Sequence, residues 1–193
     1  MSRIIAGKLA SRRVATPPGA STRPTTDRVR ESVFAWIASR LRVVDRDPAD
    51  QLAGLSFLDL YAGSGAVGLE AYSRGARVTW VEKDRGAGRV VTKNVATLKA
   101  DGLVRIMDVA RFLAGVPTPF DIVWMDPPYT VPSEEVERIL SVLDSQGWVR
   151  ESGLVLAERA GRTSAIEFPE SFLNMGYKRY GETTIYYAEK GST

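Results

Sequence analysis

Neither cysteine nor histidine occurs anywhere in this chain of 193 residues. Their absence removes disulfides, thiolate nucleophiles, imidazole bases and the usual ligands of zinc and iron together. Any chemistry must then run on carboxylates, backbone groups, Tyr, Lys or a bound organic cofactor, with no metal expected. Long apolar runs are missing as well. The opening Met1-Ser2-Arg3-Ile4-Ile5-Ala6-Gly7-Lys8 is too short for the core of a signal peptide, and no later stretch reaches membrane-spanning length. A cytoplasmic protein with no membrane partner is the expectation. Internal repeats and low-complexity segments are also lacking. What remains is a composition of 44% hydrophobic and 25% charged residues, ordinary for one soluble domain with a proper core.

The formal net charge is only +3, but it is unevenly spread. Residues 1–46 carry Arg3, Lys8, Arg12, Arg13, Arg23, Arg28, Arg30, Arg40, Arg42 and Arg46 against Asp27, Glu31 and Asp45, a surplus of seven. Residues 47–193 are therefore four negative. A basic arm on a mildly acidic body suits a polyanion-binding element beside a catalytic core. The plain alternative is an Arg-rich helix face that is merely solvated.

The most telling motif is Asp126-Pro127-Pro128-Tyr129, which closes the apolar run Ile122-Val123-Trp124-Met125. It sets a carboxylate, two carbonyls without competing N–H groups and an aromatic face at one strand end. Methylation of an exocyclic amino group on a nucleobase wants that set. Such an amino nitrogen is a poor nucleophile because its lone pair is delocalised into the ring. Accepting its two N–H bonds, one on Asp126 and one on a carbonyl such as that of Pro127, improves it, while Tyr129 can stack on the base. The alternative is a strand that ends in a Pro-rich turn with Asp as turn former.

Gly7 lies between two short runs in residues 3–16, consistent with a hairpin or an extended arm, and Thr16-Pro17-Pro18-Gly19 reads as a turn or linker. Thr25 or Thr26 can cap a helix with Asp27 in its first turn. Val29, Val33, Phe34, Ile37, Leu41 and Val44 recur at helical spacing, so a helix over 27–44 is predicted, with Arg28, Arg30, Arg40 and Arg42 on its outer face. Strands then alternate with helices. Strands are predicted at 57–60, 78–81, 104–107, 122–125 and 154–157; helices at 66–74, 85–99, 109–114 and 133–144; a terminal hairpin at 176–181 and 183–188. This is the pattern of a doubly wound α/β fold, a parallel sheet with an antiparallel edge.

Ligands of such sheets bind beyond the carboxyl ends of the strands. The first strand ends Asp59-Leu60-Tyr61-Ala62-Gly63-Ser64-Gly65, and Gly63, Gly65 and Gly68 fit G-x-G-x-x-G, allowing a tight turn and close approach of a ligand. The second ends at Glu82, placed for a ribose diol; the third at Asp108, able to accept from an adenine amino group; the fourth at Asp126. Either Glu82 or Asp108 could instead be a helix cap or first-turn acid. A nicotinamide dinucleotide and S-adenosylmethionine both match a Gly-rich turn followed by a ribose-binding acid. Asp59 and Asp126 favour the second, because carboxylates facing the turn repel a pyrophosphate but tolerate an ammonium and a sulfonium.

Arg23-Pro24-Thr25-Thr26-Asp27-Arg28-Val29-Arg30-Glu31, Leu58-Asp59-Leu60-Tyr61-Ala62-Gly63-Ser64-Gly65 with Gly68-Leu69-Glu70-Ala71, and Asp126-Pro127-Pro128-Tyr129 together resemble the bacterial RsmD family. Arg3-Ile4-Ile5-Ala6-Gly7 also looks like that family's N-terminal strand. Members methylate N2 of a guanine in 16S ribosomal RNA, and Asp-Pro-Pro-Tyr alone is shared with DNA adenine methyltransferases. The resemblance implies a Rossmann-like class I methyltransferase fold: a doubly wound, mostly parallel seven-stranded sheet with an antiparallel C-terminal strand, core 47–193, behind an RNA-facing arm, 1–46. It implies S-adenosylmethionine as cofactor and S-adenosylhomocysteine as product. The cofactor would meet Asp59, Tyr61, Ala62, Gly63, Ser64, Gly65, Glu82, Lys83, Asp108, Val109 and Asp126. A flipped guanine would enter at Asp126, Pro127, Pro128 and Tyr129. RNA would lie along Arg3, Lys8, Arg12, Arg13, Arg23, Thr25, Thr26, Arg28, Arg30 and Tyr129. The expected partner is 16S rRNA in the small subunit or its assembly intermediate, engaged by a monomer. The competing readings are N6-adenine methylation of DNA, a catalytically silent RNA-binding assembly factor and, weakest, a nicotinamide dehydrogenase.

Overall fold

The chain, as a computed structural model that describes residues 2–17 and 25–192, stacks helices on both faces of one sheet. Short strands β1 (Ser2–Arg3) and β2 (Arg13–Val14) pair antiparallel, and α1 (Asp27–Arg40) follows. Then come β3 (Ser56–Leu60), α2 (Ala66–Ser73), β4 (Arg77–Glu82), α3 (Arg85–Thr97), β5 (Gly102–Ile106), α4 (Val109–Leu113), β6 (Phe120–Met125) and α5 (Ser133–Ser145). The chain closes with β7 (Val149–Ala160), β8 (Phe172–Tyr180) and β9 (Thr183–Lys190). Among the described residues no helix is long and apolar enough to cross a membrane.

The seven strands run in the order β5-β4-β3-β6-β7-β9-β8. All pairs from β5 to β7 are parallel, and β9 is antiparallel to both its neighbours. The C-terminal strand is thus the antiparallel one, but it lies one place in from the edge, which β8 occupies. Alternation along each strand sorts the core. Phe57, Trp80, Trp124 and Leu156 join Leu69, Val91, Phe34 and Ile4 on one face. Leu58, Leu60, Val81, Val123 and Met125 join Val109, Leu113, Leu140 and Leu143 on the other. The chain winds outward from β3 to β5 on one side and from β6 to β7 on the other, so the switch point lies between the ends of β3 and β6.

Two expectations for α1 need correction. The helix does not reach residue 44: Leu41 caps it, Arg42 adopts φ 57° and the Val43 N–H turns back onto the Ala38 carbonyl, leaving Val44 60% exposed. Nor does Arg30 sit outside. With Val33, Phe34, Ile37 and Ala38 it forms the i, i+3, i+4, i+7, i+8 stripe that faces the core, and it is only 1% exposed. Its guanidinium donates to the Thr25 carbonyl at 2.9 Å, the Arg3 carbonyl at 2.6 Å and Asp27 at 3.0 Å. Arg40 is also engaged, paired with Glu189.

The arm is docked on α2. The buried Glu70 accepts the Ile5 and Ala6 N–H groups at 2.7 and 3.1 Å and pairs with Arg74 at 2.9 Å. Gly7, at φ 81°, lies so close to the Ser73 carbonyl that a Cβ there would sit 2.0 Å from it. Only glycine satisfies both the left-handed turn and that approach.

Candidate active site

The turn after β3 opens toward the switch point. Tyr61, Gly63 and Gly65 all take positive φ (62°, 58° and 78°), and a non-glycine residue in that region is strained by roughly 1–2 kcal/mol. A Cβ on Gly63 would meet nothing closer than 4.0 Å, so the outer side of the turn is open. Gly65 caps α2 without any side-chain bond to the helix N–H groups. Ala62 is anchored by its N–H to the Val81 carbonyl, and the Ser64 carbonyl accepts from Asn94 at 2.9 Å. Gly68, the last glycine of the motif, serves close packing of helix on strand. It faces inward, its N–H donating to Asp59 at 2.9 Å and its Cα lying against the Trp80 indole.

The acids at the strand ends are differently employed. Glu82 is buried and spans the turn, accepting the Gly63 N–H on one oxygen and the Asp84 N–H on the other, each at 2.8 Å. It shapes the glycine turn as well as bordering it. Asp108 is exposed and caps α4 through the Ala110 N–H at 2.8 Å, so the helix-cap reading applies to it. Lys83 is exposed; Val109 is buried in the first turn of α4.

Asp126 continues β6 by donating its N–H to the Leu60 carbonyl at 3.3 Å, which sets the Pro-Pro turn beside the glycine turn. The Pro128 carbonyl accepts the Val131 N–H at 2.9 Å, whereas that of Pro127 accepts no backbone N–H among the described residues. Tyr129 is 48% exposed beyond it. Asp126 stands among carboxylates. Desolvation, then the Glu158 and Asp59 charges, hold its carboxyl well above the usual carboxylate range, against the opposing pull of Thr25 and Arg159. Burial likewise pushes Asp59 and Glu158 up to about 7. Tyr61 is pushed up to about 12 by burial and by the Asp108 and Glu135 charges.

Glu158 and Arg159, at the end of β7, belong to this site and escaped the sequence reading. Their signal was available: they directly follow Leu154-Val155-Leu156-Ala157, at a strand end like the others. Glu158 accepts the Thr25 hydroxyl at 2.7 Å, and Arg159 donates to the Val131 carbonyl at 2.8 Å, gripping the far side of the Pro-Pro turn. A continuous relay results, from the Arg3 carbonyl through Arg30 and Thr25 to Glu158. Thr26, by contrast, caps α1 through the Val29 N–H at 3.3 Å. Of the expected RNA-facing residues, Arg3, Arg12, Arg13 and Arg28 are exposed, and Lys8 lies 3.6 Å over the Tyr72 ring. Arg23 falls outside the described residues. Arg30 is removed from any direct RNA contact by its burial.

An open glycine turn, acids around it and a base-accepting corner beside it fit a cationic nucleoside cofactor and a planar substrate. Comparisons with known proteins agree. The family model described as conserved hypothetical protein 95 matches residues 2–189. The chain is 40% identical over 159 residues to the ribosomal RNA small subunit methyltransferase D of Escherichia coli strain K12, covering 81% of this chain and 73% of that protein. It is 32% identical over 192 residues to the Bacillus subtilis protein named "Putative rRNA methyltransferase YlbH", covering 95% and 96%. Among solved structures, "Putative methyltransferase yhhF from Escherichia coli" matches with a TM-score of 0.81 at 34% identity, over 99% of this chain and 98% of that one. The chain therefore belongs to the conserved hypothetical protein 95 family, that of the ribosomal RNA small subunit methyltransferase D proteins.

Proposed function

We propose that this protein moves a methyl group from S-adenosylmethionine to the exocyclic N2 of a guanine in 16S rRNA, releasing S-adenosylhomocysteine. The observation that carries the reading is the meeting of the glycine turn with Asp126-Pro127-Pro128-Tyr129 across the switch point, joined by the bond from Asp126 to Leu60. When bound, the cofactor supplies an electrophilic methyl on a cationic sulfur. The rest falls to the chain. Tyr61 to Gly65, with Glu82 and Lys83, would hold the cofactor's methionine and ribose ends, and Asp108 and Val109 its adenine. Asp126 and the Pro127 carbonyl would accept the two guanine N–H groups and aim the nitrogen lone pair. Tyr129 would stack on the flipped base.

Asp126 does this as an acceptor, so it must be ionised in the loaded site. A cofactor cation held beside this carboxylate would favour that form, and the nitrogen's proton would leave later to solvent. Residues 1–46 would serve as the RNA-facing arm and 47–193 as the catalytic core, working as a monomer in the cytoplasm. Arg3, Lys8, Arg12, Arg13, Arg23 and Arg28 would meet phosphates, with Thr26 at the entrance, whereas Thr25 is buried against Glu158 and would not reach RNA. The substrate would be rRNA in the small subunit or its assembly intermediate, whose own fold presents the base.

The test supplies labelled donor with either unmethylated small-subunit particles or duplex DNA, and analyses the modified nucleoside. N2-methylguanine in 16S rRNA is expected. N6-methyladenine in DNA, or no transfer at all, would overturn the reading. Asp126→Ala should lower turnover by a hundredfold or more, the scale of losing one positioned transition-state hydrogen bond, while donor binding measured by calorimetry survives.

A further inference from the structure

Beyond the arm, a second basic element emerges from the core itself. Residues 83–99 carry Lys83, Arg85, Arg89, Lys93 and Lys99 against the single acid Asp84, a surplus of four in a body that sums to minus four. The other residues of that body are therefore eight negative. All five cations are exposed, and they sit on or beside α3. Several cations elsewhere are ion-paired: Arg40 with Glu189, Arg74 with Glu70, Arg138 with Glu135, Arg150 with Asp121 and Lys190 with Asp144. Among the described residues, none of the five near α3, and neither Arg12 nor Arg13, lies within ion-pair distance of a carboxylate.

The arm passes from α2 to the side of this helix. Near the C-terminal end of α3, Lys8 covers the Tyr72 ring, whose hydroxyl donates to the Lys99 carbonyl at 3.4 Å. In the last turn of α3, Asn94 clasps Ala15 by two bonds, accepting its N–H at 3.0 Å and donating to its carbonyl at 2.9 Å. At the N-terminal end, Pro17 borders an open groove of about 360 Å³ with Asp84, Gly86, Ala87, Arg89, Val90 and Lys93. The single acid there is already employed, since Asp84 caps α3 through the Ala87 N–H at 2.7 Å. Unpaired like charges held together on one surface repel one another, and a polyanion relieves them.

We infer that the outer face of α3, together with the hairpin beside it, is a phosphate-binding track that grips the RNA backbone on the glycine-turn side of the active site. The inference rests on the rRNA reading and extends it to residues of the core. It assigns Arg89 and Lys93, flanking the groove, as backbone contacts that carry affinity without reading sequence.

The test measures binding of a fluorescently labelled 16S rRNA fragment by anisotropy across a salt series, with methyl transfer to unmethylated particles followed in parallel. The double variant Arg89→Gln, Lys93→Gln sits at exposed helical positions where Gln is well tolerated. It should bind roughly tenfold more weakly at about 0.1 M salt, with the gap closing toward 1 M and a log-log slope reduced by roughly 0.7–0.9 per charge removed. Arg150→Gln, which removes a cation paired elsewhere, should stay with the wild type. Unchanged affinity and slope in the double variant, or an equal loss in Arg150→Gln, would overturn the track. A wild type that binds RNA with this salt dependence but leaves particle rRNA unmethylated would sink the proposed activity while upholding the track.

Discussion

Replacing Gly68 by Ala is the sharpest test of how the glycine turn is built, because helix propensity and packing call for opposite signs. Gly68 lies inside α2, where Ala would ordinarily gain about 1 kcal/mol. Here the new methyl would stand 2.2 Å from Nε1 and 2.8 Å from Cε2 of Trp80, and 2.9 Å from Asp59 Oδ2. The indole cannot yield. It is fully buried, donates to the Gly65 carbonyl at 3.3 Å, and has Gly102 against its far edge, where a Cβ would be 2.6 Å from Cζ3. Overpacking costs about 1–3 kcal/mol and distortion of the Asp59 and Trp80 bonds about 1–3 more. With the propensity gain of about 1 kcal/mol subtracted, the net loss should be about 1–5 kcal/mol, a fall of roughly 2–20 °C in Tm for a domain of this size. Thermal unfolding followed by circular dichroism reads it directly. A variant as stable as the wild type, or more so, would refute the wedged-indole account. Trp80→Phe in the Gly68→Ala background should recover part of the loss, since the clashing Nε1 edge is then gone.

Arg30→Met keeps the apolar stem but leaves the Thr25 and Arg3 carbonyls without their donor; a loss of about 1–3 kcal/mol is expected in urea unfolding, and an unchanged midpoint would contradict the relay. The pH dependence of stability has a defined sign. Glu158 is raised from 4.5 to about 7 by burial, so between those values the folded state holds a proton that the unfolded chain has lost. Its contribution is fully present below about pH 4.5 and is lost as pH climbs to about 7, at up to about 1.4 kcal/mol per pH unit. Asp59, raised from 3.8 to about 7, acts in the same direction over a window that opens lower. Glu158→Gln should therefore flatten the decline measured by urea unfolding from pH 4.5 to 7, and a curve parallel to wild type would disprove the assignment.

Much of the site was legible because its signals are local. A carboxylate followed by two prolines after an apolar run can only be a strand end, and Gly63-Ser64-Gly65 must turn sharply wherever it lies. What misled was polarity. Arg30 reads as a surface residue by type, yet its spacing with Val33, Phe34 and Ile37 already placed it inward; its burial depends on carbonyls from Arg3 and Thr25 that lie at a distance in sequence or across a turn. Glu158-Arg159 looked like the polar end of a strand stopping at Ala157, whereas pairing with β9 carries β7 on to Ala160. Val44 fits the helical period but lies past the point where Arg42 turns the backbone out of the helix.

The sequence by itself determined the alternation of strands and helices, the two turns that carry the chemistry, and the absence of any imidazole or thiol to replace them. These follow from short-range rules: a period of two or 3.6, a glycine's freedom, a proline's missing N–H. Only the tertiary structure decided how the acids are used: Glu82 bracing the glycine turn, Asp108 capping a helix, Asp59 bound to Gly68, and Glu158 held by Thr25. The physical reason is that a carboxylate's role is set by desolvation and by whichever donors the fold brings within 3 Å. Those donors come from segments as much as 133 residues apart.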